Sequence, residues 1–197
     1  MTEDTLVYRI DGADIIVSVS DNWHVFADDN AWAGDVRSES VVGHRLWDFI
    51  QDLETRHLYQ EVFHRVRAGK SCQPIPFRCD SPSERRFLEI TFKAISDGQI
   101  NITSRIIRTE RRSPLRLLEI DTPRSSDLLT ICSMCKKIKV LPEQWEEIED
   151  ALIHLRLFEA DEMPMLTHGI CPGCFQVAMA ELDEFDTPNK AIDDDEE

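Results

Sequence analysis

Two pairs of closely spaced cysteines constrain this chain more than any other feature of its sequence. Cys132 and Cys135 form one C-x2-C pair, and Cys171 and Cys174 form a second pair after an interval of 35 residues. Two residues between cysteines let both sulfurs approach one ion from a tight turn, and two such turns supply the ligands of a tetrahedral zinc site. The spacing therefore predicts that these four residues bind one metal ion, with zinc as the first candidate.

The residues around the cysteines agree with such a site. Four thiolates on a divalent ion leave a net negative charge, which Lys136, Lys137 and Lys139 after the first pair can offset. Cys171 precedes a predicted helix, whose positive end favours a thiolate. His168 is an alternative ligand, but a role in fixing the loop is preferred because four cysteines already complete the coordination shell.

The net charge of -16 is unevenly distributed along the chain. Residues 1–112 contain 15 Lys+Arg and 18 Asp+Glu, a net of -3, whereas residues 113–197 contain 7 and 20, a net of -13. Proteins that bind nucleic acid need cations to displace the counterions of phosphate. The charge of the second half therefore argues against nucleic acid and anionic membranes as partners.

Composition also bounds the cellular setting. The sequence contains no apolar run of the ~20 residues that a membrane helix needs, and its acidic N-terminus is unlike a secretory signal. We therefore expect a cytoplasmic protein without membrane contact. In a reducing cytoplasm, its six cysteines are expected to be thiols or metal ligands rather than disulfides.

The first half alternates between strand-like and helical patterns. Two apolar runs near the N-terminus, LVYRI and DIIVSVS, predict strands. Residues 53–68 carry apolar side chains at helical spacing. Three more strand-like runs follow, and Asp97-Gly98 between the last two predicts a hairpin. An antiparallel sheet with helices on one face is an α+β domain, which we expect to span residues 1–112.

The second half is predicted to be a smaller, α-rich unit. Residues 113–127, with two prolines, are typical of a linker. Residues 142–158 are predicted to form one amphipathic helix, and the run MPMLTHGICPGC a loop before a closing helix. We expect a four-cysteine metal-binding module at residues 128–187, and a disordered acidic tail at residues 188–197.

The segments VSVSDNWHVFADDNA, VVGHRLWDFIQD, the helix ending HRVRAG, and PFRCDSPSERRFLEI occur in the order strand, short helices, longer helix, strands. In this order and in these residues, the chain from about residue 12 to residue 112 resembles the PAS domains of bacterial signalling proteins. The resemblance implies a sensor fold that either holds a small molecule between its sheet and its helical connector or serves as a dimerisation module.

Aromatic residues of the connector are the candidate lining of such a pocket. Trp23, Phe26, Trp47 and Phe49 either contact a ligand or simply fill a core, since each aromatic side chain buries ~150–250 Å². The ligand itself is not identified by the sequence.

Three histidines and one arginine are further candidates near this pocket. A haem would need an axial histidine, for which His44, His57 and His64 are available, with surface positions as the alternative. Arg78 could clamp a carboxylate ligand with its planar guanidinium. We prefer a structural role for this segment, in which Asp80 accepts hydrogen bonds from Arg85 or Arg86 and fixes the connection between strands.

The runs ICSMCKKIKV and THGICPGC, with Trp145 and Glu149 between them, resemble cysteine-rich tails that follow PAS domains in some bacterial signalling proteins. The HGICPxC element is the specific part of the likeness, which covers about residues 130–175. It implies a structural or partner-contacting appendage.

These features favour a non-catalytic signalling protein, in which a PAS sensor or dimerisation domain is joined to a zinc module that contacts a protein partner. A second copy of the chain is one candidate partner. The alternative is a redox sensor whose cysteine pairs release metal on oxidation. An enzyme is disfavoured because the sequence shows no phosphate loop, nucleophile motif or open zinc site. The partner is expected to meet an exposed acidic helix face formed by Glu146, Glu147, Glu149 and Asp150.

Overall fold

A five-stranded antiparallel sheet forms the first half of the protein. The computed structural model describes residues 5–29, 37–50 and 52–184. The spatial order of the strands is β2-β1-β5-β4-β3, so that β2 and β3 are the two edges. The strands are β1 (Thr5–Ile10), β2 (Ile16–Val19), β3 (Ile75–Arg78), β4 (Glu84–Ala94) and β5 (Ile100–Arg111).

Between β2 and β3, the described residues form three α-helices and one short 3-10 helix (Leu46–Asp48). The α-helices are α1 (Trp23–Asp29), α2 (Ser38–Val41) and α3 (Leu53–Arg67). The longest of them, α3, begins after Asp52, whose carboxylate accepts a hydrogen bond from the Thr55 amide at 2.9 Å. Such a cap satisfies an N–H group that has no partner within the helix. The helix buries one apolar face in the main core, through Leu58, Val62, Phe63 and Val66.

The hairpin between β4 and β5 forms where the sequence predicted it. The two strands pair antiparallel, with Ala94 opposite Ile100 at the closed end. Asp97 and Gly98 both adopt left-handed backbone conformations, with φ of 60° and 73°. Glycine and aspartate tolerate this region better than most residues, which explains their place in the turn.

A second sheet of four strands follows, in the order β8-β7-β6-β9. The edge strand β9 pairs parallel with β6, and the other pairs are antiparallel. The strands are β6 (Arg124–Cys132), β7 (Ile138–Leu141), β8 (Gln144–Glu146) and β9 (Met163–Gly169). Two helices accompany them, α4 (Ile148–His154) between β8 and β9, and α5 (Pro172–Glu184) after β9.

The α+β class is therefore confirmed, but the expectation of an α-rich second unit is wrong. The predicted helix over residues 142–158 is divided, because Lys139 pairs with Trp145 and Ile138 with Glu146 to form β8. The short α4 then ends before Arg156, which is left-handed with φ of 55°. The segment predicted as a loop before Cys171 contains β9, which obtains its backbone hydrogen bonds from β6.

The two halves share part of one core. Ile170 and Ala178, from the end of the chain, lie in the same buried cluster as the apolar face of α3 and the first sheet. A second cluster holds the inner face of the second sheet together with Leu115, Leu117 and Leu118. These three leucines belong to a 3-10 turn and its flank inside the predicted linker.

The domain boundaries at residues 112, 127 and 187 stay predictions, and the acidic tail at residues 188–197 lies outside the described residues. Within those residues, no helix is both long enough and apolar enough to cross a bilayer.

The buried position of Ile102 supplies a test of the fold. Ile102 is 0% exposed on β5, whereas Ile107 on the same strand is 48% exposed. We expect Ile102→Ala to lower the free energy of unfolding by about 2–5 kcal/mol, because it leaves a cavity in the main core. Ile107→Ala, the control, should change it by less than about 1 kcal/mol. Urea unfolding measures both values, and equal effects would contradict the assigned core.

Candidate metal centre

The four cysteines predicted to bind metal lie together in the structure. Their sulfur atoms are all within 4.8 Å of one another, and no disulfide joins them. Cys132 ends β6, and Cys135 lies in the turn before β7. Cys171 precedes α5, and Cys174 lies in its first turn. We call this group the cysteine site.

The first pair is held by a turn with backbone hydrogen bonds at both ends. The Lys136 amide donates to the Cys132 carbonyl at 3.1 Å, and the Cys132 amide donates to the Lys137 carbonyl at 2.8 Å. Lys136 is left-handed, with φ of 63°. The turn is also fixed to β9, because the Ser133 amide donates to the Gly169 carbonyl at 2.7 Å.

The second pair is built on the first turn of α5. The carbonyl of Cys171 accepts a hydrogen bond from the Phe175 amide at 2.9 Å, which closes that turn. The parallel pairing of β9 with β6 places Gly169 beside Cys132. The second pair therefore reaches the first although 35 residues separate them in the sequence.

Backbone N–H groups point at two of the sulfurs. The amide of Cys171 donates to Cys132 Sγ at 3.4 Å, and the amide of Cys174 donates to Cys171 Sγ at 3.5 Å. Donors of this kind stabilise thiolates and orient metal-bound sulfur atoms. The four cysteines therefore have both the spacing of a metal-ligand set and the amide donors that such ligands commonly have.

The thiols influence one another strongly. Hydrogen bonds from the Cys135 and Cys174 thiols lower the pKa of Cys132. The hydrogen bond to Cys132 raises the pKa of Cys135 to about 12, and neighbouring thiols also raise that of Cys174. Four thiolates therefore cannot form together here unless a cation offsets their repulsion.

The surroundings of the sulfurs are apolar. Cys132 and Cys171 are buried and pack with Met134, while Ile75 and Phe77 of β3 close one side. Trp145 of β8 packs against the same cluster. A buried set of four soft donors fits one tetrahedral metal ion with no open coordination position. His168, the alternative ligand, is solvent-exposed and lies outside the clustered ligand groups of the described residues.

The aromatic residues predicted to line a PAS pocket lie in different surroundings. Trp23 and Trp47 both pack against the main core. The Trp47 indole also donates to the Asp14 carboxylate at 2.9 Å. Phe49 is instead 38% exposed, facing the ring of His44. Phe26 belongs to α1, but its side chain lies outside the described part of the protein.

Two tyrosines in this region were not singled out from the sequence. Tyr8 lies against Trp23 with ring centroids 5.9 Å apart, and Tyr59 contacts Phe63 and Phe92 at 5.8 Å. Burial raises the pKa of both phenols, that of Tyr59 to about 12. The alternation of side chains along β1 and the helical spacing along α3 were the sequence features that could have indicated that these tyrosines face the core. The histidines considered as haem ligands, His44, His57 and His64, are all exposed.

Arg78 lies in a group of six charged side chains, of which three are buried and three are partly exposed. Its guanidinium donates to both oxygens of Asp80, and to Glu147 at 2.7 Å. Arg112 donates to Asp80 at 3.1 Å and to Glu149 at 3.3 Å. Arg85 pairs with Glu149 at 2.8 Å. We call this group the ion-pair cluster: Arg78, Asp80, Arg85, Arg112, Glu147 and Glu149.

The prediction of an exposed acidic helix face is wrong, because part of that face belongs to the ion-pair cluster. Glu147 and Glu149 are engaged by arginines of the first half, and Glu146 pairs with His154 at 3.1 Å, so that of the four acids only Asp150 is exposed. Burial raises the pKa of Glu149, but the hydrogen bond from Arg85 and the arginine charges outweigh this effect and lower it overall. The carboxylate is thus held in its charged form.

Comparison with known proteins gives little similarity. No protein-family model matches the sequence, and the search of curated proteins found no significant match. Among solved structures, the chain is similar to a domain of an HTR-like protein from Haloarcula marismortui ATCC 43049, at 12% identity and a TM-score of 0.34. That match covers 53% of this chain and 99% of the other.

Proposed function

We propose that the protein is a non-catalytic regulatory protein whose cysteine site holds one structural zinc ion. The observation that carries the proposal is the placement of four sulfur atoms within 4.8 Å of one another, largely shielded from water. When bound, the ion would supply the positive charge that four neighbouring thiolates require. Cys132, Cys135, Cys171 and Cys174 would hold it.

Zinc is the metal that this donor set suits best. Four thiolates in tetrahedral arrangement select zinc or iron, and zinc is the usual occupant of closed structural sites. A full sulfur shell leaves no position for a water or a substrate, so we assign the site no catalytic role. The amides that donate to Cys132 and Cys171 would keep the sulfurs oriented toward the ion.

For the first half we propose a PAS-type sensor or dimerisation domain. The support is the succession of two strands, two short helices, the longer α3 and three strands, together with the sequence resemblance described above. Tyr8, Trp23 and Tyr59 are partly buried against the main core, and together with the buried Phe92 they provide an aromatic interior between the sheet and α3. No ligand is assigned to this interior.

The output of such a protein would be contact with another protein in the cytoplasm. Over residues 113–180, whose side chains the structure describes, more acidic than basic side chains are exposed. Large apolar side chains such as Ile153 and Phe158, which are 66% and 61% exposed, accompany them. This combination favours a basic protein partner over nucleic acid or an anionic membrane. The exposed acids are Asp121, Asp127, Glu143, Asp150, Glu159, Asp161 and Glu162.

A second candidate function is redox sensing by the same cysteines. Its support is the distance of 3.7 Å between Cys135 Sγ and Cys171 Sγ, one from each pair. Sulfurs this close can form a disulfide after oxidation, which would release the metal. The burial of Cys132 and Cys171 opposes this candidate, because oxidants reach buried thiolates slowly.

Metal content tests the primary proposal. Protein purified without chelator should contain about one zinc per chain. Cys135→Ser should lose most of the metal, since it removes one of four ligands, whereas Cys72→Ser should retain it because Cys72 lies outside the cysteine site. Elemental analysis measures all three proteins. Wild-type protein without metal, or equal loss in both variants, would refute the proposal.

Mild peroxide separates the structural site from the redox sensor. We expect the zinc-loaded protein to retain its metal and its accessible thiol count, because the ion shields the sulfurs and two of them are buried. Zinc release can be followed with a chromophoric chelator while free thiols are counted. Stoichiometric release with loss of two thiols per chain, reversed by reductant, would establish the redox function instead.

The partner proposal predicts a dependence on salt. Binding steered by exposed acids should weaken as ionic strength rises, because charges are screened beyond ~8 Å at physiological salt. Affinity capture from a lysate would be compared at low and high salt, and identified proteins then tested individually in purified form. A gel shift with random duplex DNA serves as the counter-test, and tight binding there would contradict the proposed partner class.

A further inference from the structure

The free edge of the first sheet is joined to the cysteine site. β3 is an edge strand, and its outer side meets the turn of the first cysteine pair. The Arg78 amide donates to the Met134 carbonyl at 2.7 Å, between Cys132 and Cys135 in sequence. Ile75 and Phe77 of β3 pack against the sulfur-containing cluster. The turn that presents two ligands thus also provides the acceptor for the Arg78 amide of β3.

The start of α3 is joined to the second cysteine pair. The Glu54 carboxylate, in the first turn of α3, accepts a hydrogen bond from the Ile170 amide at 3.1 Å. Ile170 directly precedes the ligand Cys171, and its side chain is buried in the core of the first half. The position of this ligand and the start of α3 are therefore fixed by the same contact.

The ion-pair cluster balances its charges only when the two halves are docked. The first half contributes Arg78, Arg85, Arg112 and Asp80, a net of two positive charges, and the second contributes Glu147 and Glu149, two negative charges. The side chains of Arg78, Asp80 and Arg112 are 8%, 2% and 7% exposed. Separation would leave two positive charges of the first half without carboxylate partners, which is unfavourable.

We propose that metal binding at the cysteine site is energetically coupled to the folded state of β3 and α3, so that the site regulates the first half of the protein. The proposal rests on the metal binding proposed above. Without the ion, the four sulfurs would lose the bonds that join the two cysteine pairs. This loss would loosen the two cysteine segments, and with them the partners of the Arg78 amide and the Glu54 carboxylate. Glu147 and Glu149, which neutralise the arginines, lie at the start of α4, after β7 and β8.

Coupling of this kind is reciprocal. If the ion stabilises the docked arrangement of β3, then the docked arrangement of β3 raises the affinity for the ion by the same factor. A change that disturbs β3 or the ion-pair cluster must therefore lower the affinity for the ion. A change in the first half would therefore alter metal binding at the cysteine site, and metal binding would alter the first half. The direct contacts between the two halves would carry this coupling. The two halves would unfold as one cooperative unit and not as independent modules.

Hydrogen exchange of the full chain with and without zinc tests the coupling. Removal of zinc under reducing conditions should accelerate exchange about tenfold or more in β3 and the first turn of α3, as well as around the cysteines. Unfolding of the whole first half would support the same conclusion. Unchanged exchange in β3 and α3, with clear loss of protection around the cysteines, would overturn the coupling. Failure to bind any zinc would instead refute the proposed function.

A variant remote from the sulfurs provides the reciprocal test. Glu147→Gln removes one charge of the ion-pair cluster and no ligand, and should weaken zinc affinity about fivefold or more. Glu89→Gln is the matched control, because Glu89 pairs with Arg105 at 3.4 Å outside the cluster. Competition with a chromophoric zinc chelator measures both. Equal zinc affinity of both variants and the wild type would contradict the proposal.

Discussion

Repulsion among four neighbouring thiolates is the constraint on which this structure depends. The chain brings four sulfurs within 4.8 Å of one another, although only a few backbone amides are directed at them. Such a group is stable with its protons in place, or with a cation that replaces them. The replacement of these protons by a metal ion matters for the structure. An ion that holds four thiolates close together also fixes the two turns that carry them.

The second sheet shows why a metal is useful at this position. Its strands β7 and β8 contain four and three residues, and α4 contains seven. Elements this short bury little apolar surface, and small units commonly rely on metals or disulfides for stability. Here the ligands also come from segments that hold the edge of the first sheet and the start of α3. The site consequently lies at the junction of both sheets.

The sequence was most informative where one local signal determined the structure. The cysteine spacing predicted the site, the helical spacing after Asp52 predicted α3, and Asp97-Gly98 predicted the hairpin. Prediction was wrong for residues 142–158, where apolar residues at helical intervals coexist with a strand that is defined only by pairing with β7. The parallel pairing of β9 with β6 likewise depends on a partner more than 30 residues distant.

The surroundings of charged residues were harder to predict than those of apolar residues, again because their partners are distant in the sequence. Glu147 and Glu149 have the sequence neighbours of an exposed acidic face, yet their partners Arg78, Arg85 and Arg112 lie in the other half of the chain. Periodicity indicates which side of a helix is apolar but carries no information about distant countercharges. A structural role for Asp80 was predicted with Arg85 or Arg86 as its partner. In the structure Asp80 accepts from Arg78 and Arg112, while Arg85 pairs with Glu149.

The coordination sphere of the purified protein tests the central claim most directly. X-ray absorption at the zinc edge should show four sulfur ligands at about 2.3 Å and no nitrogen or oxygen ligand. That result would establish a closed site formed by Cys132, Cys135, Cys171 and Cys174. A shell of mixed sulfur and nitrogen or oxygen, or a protein that contains no zinc when purified without chelator, would contradict the account.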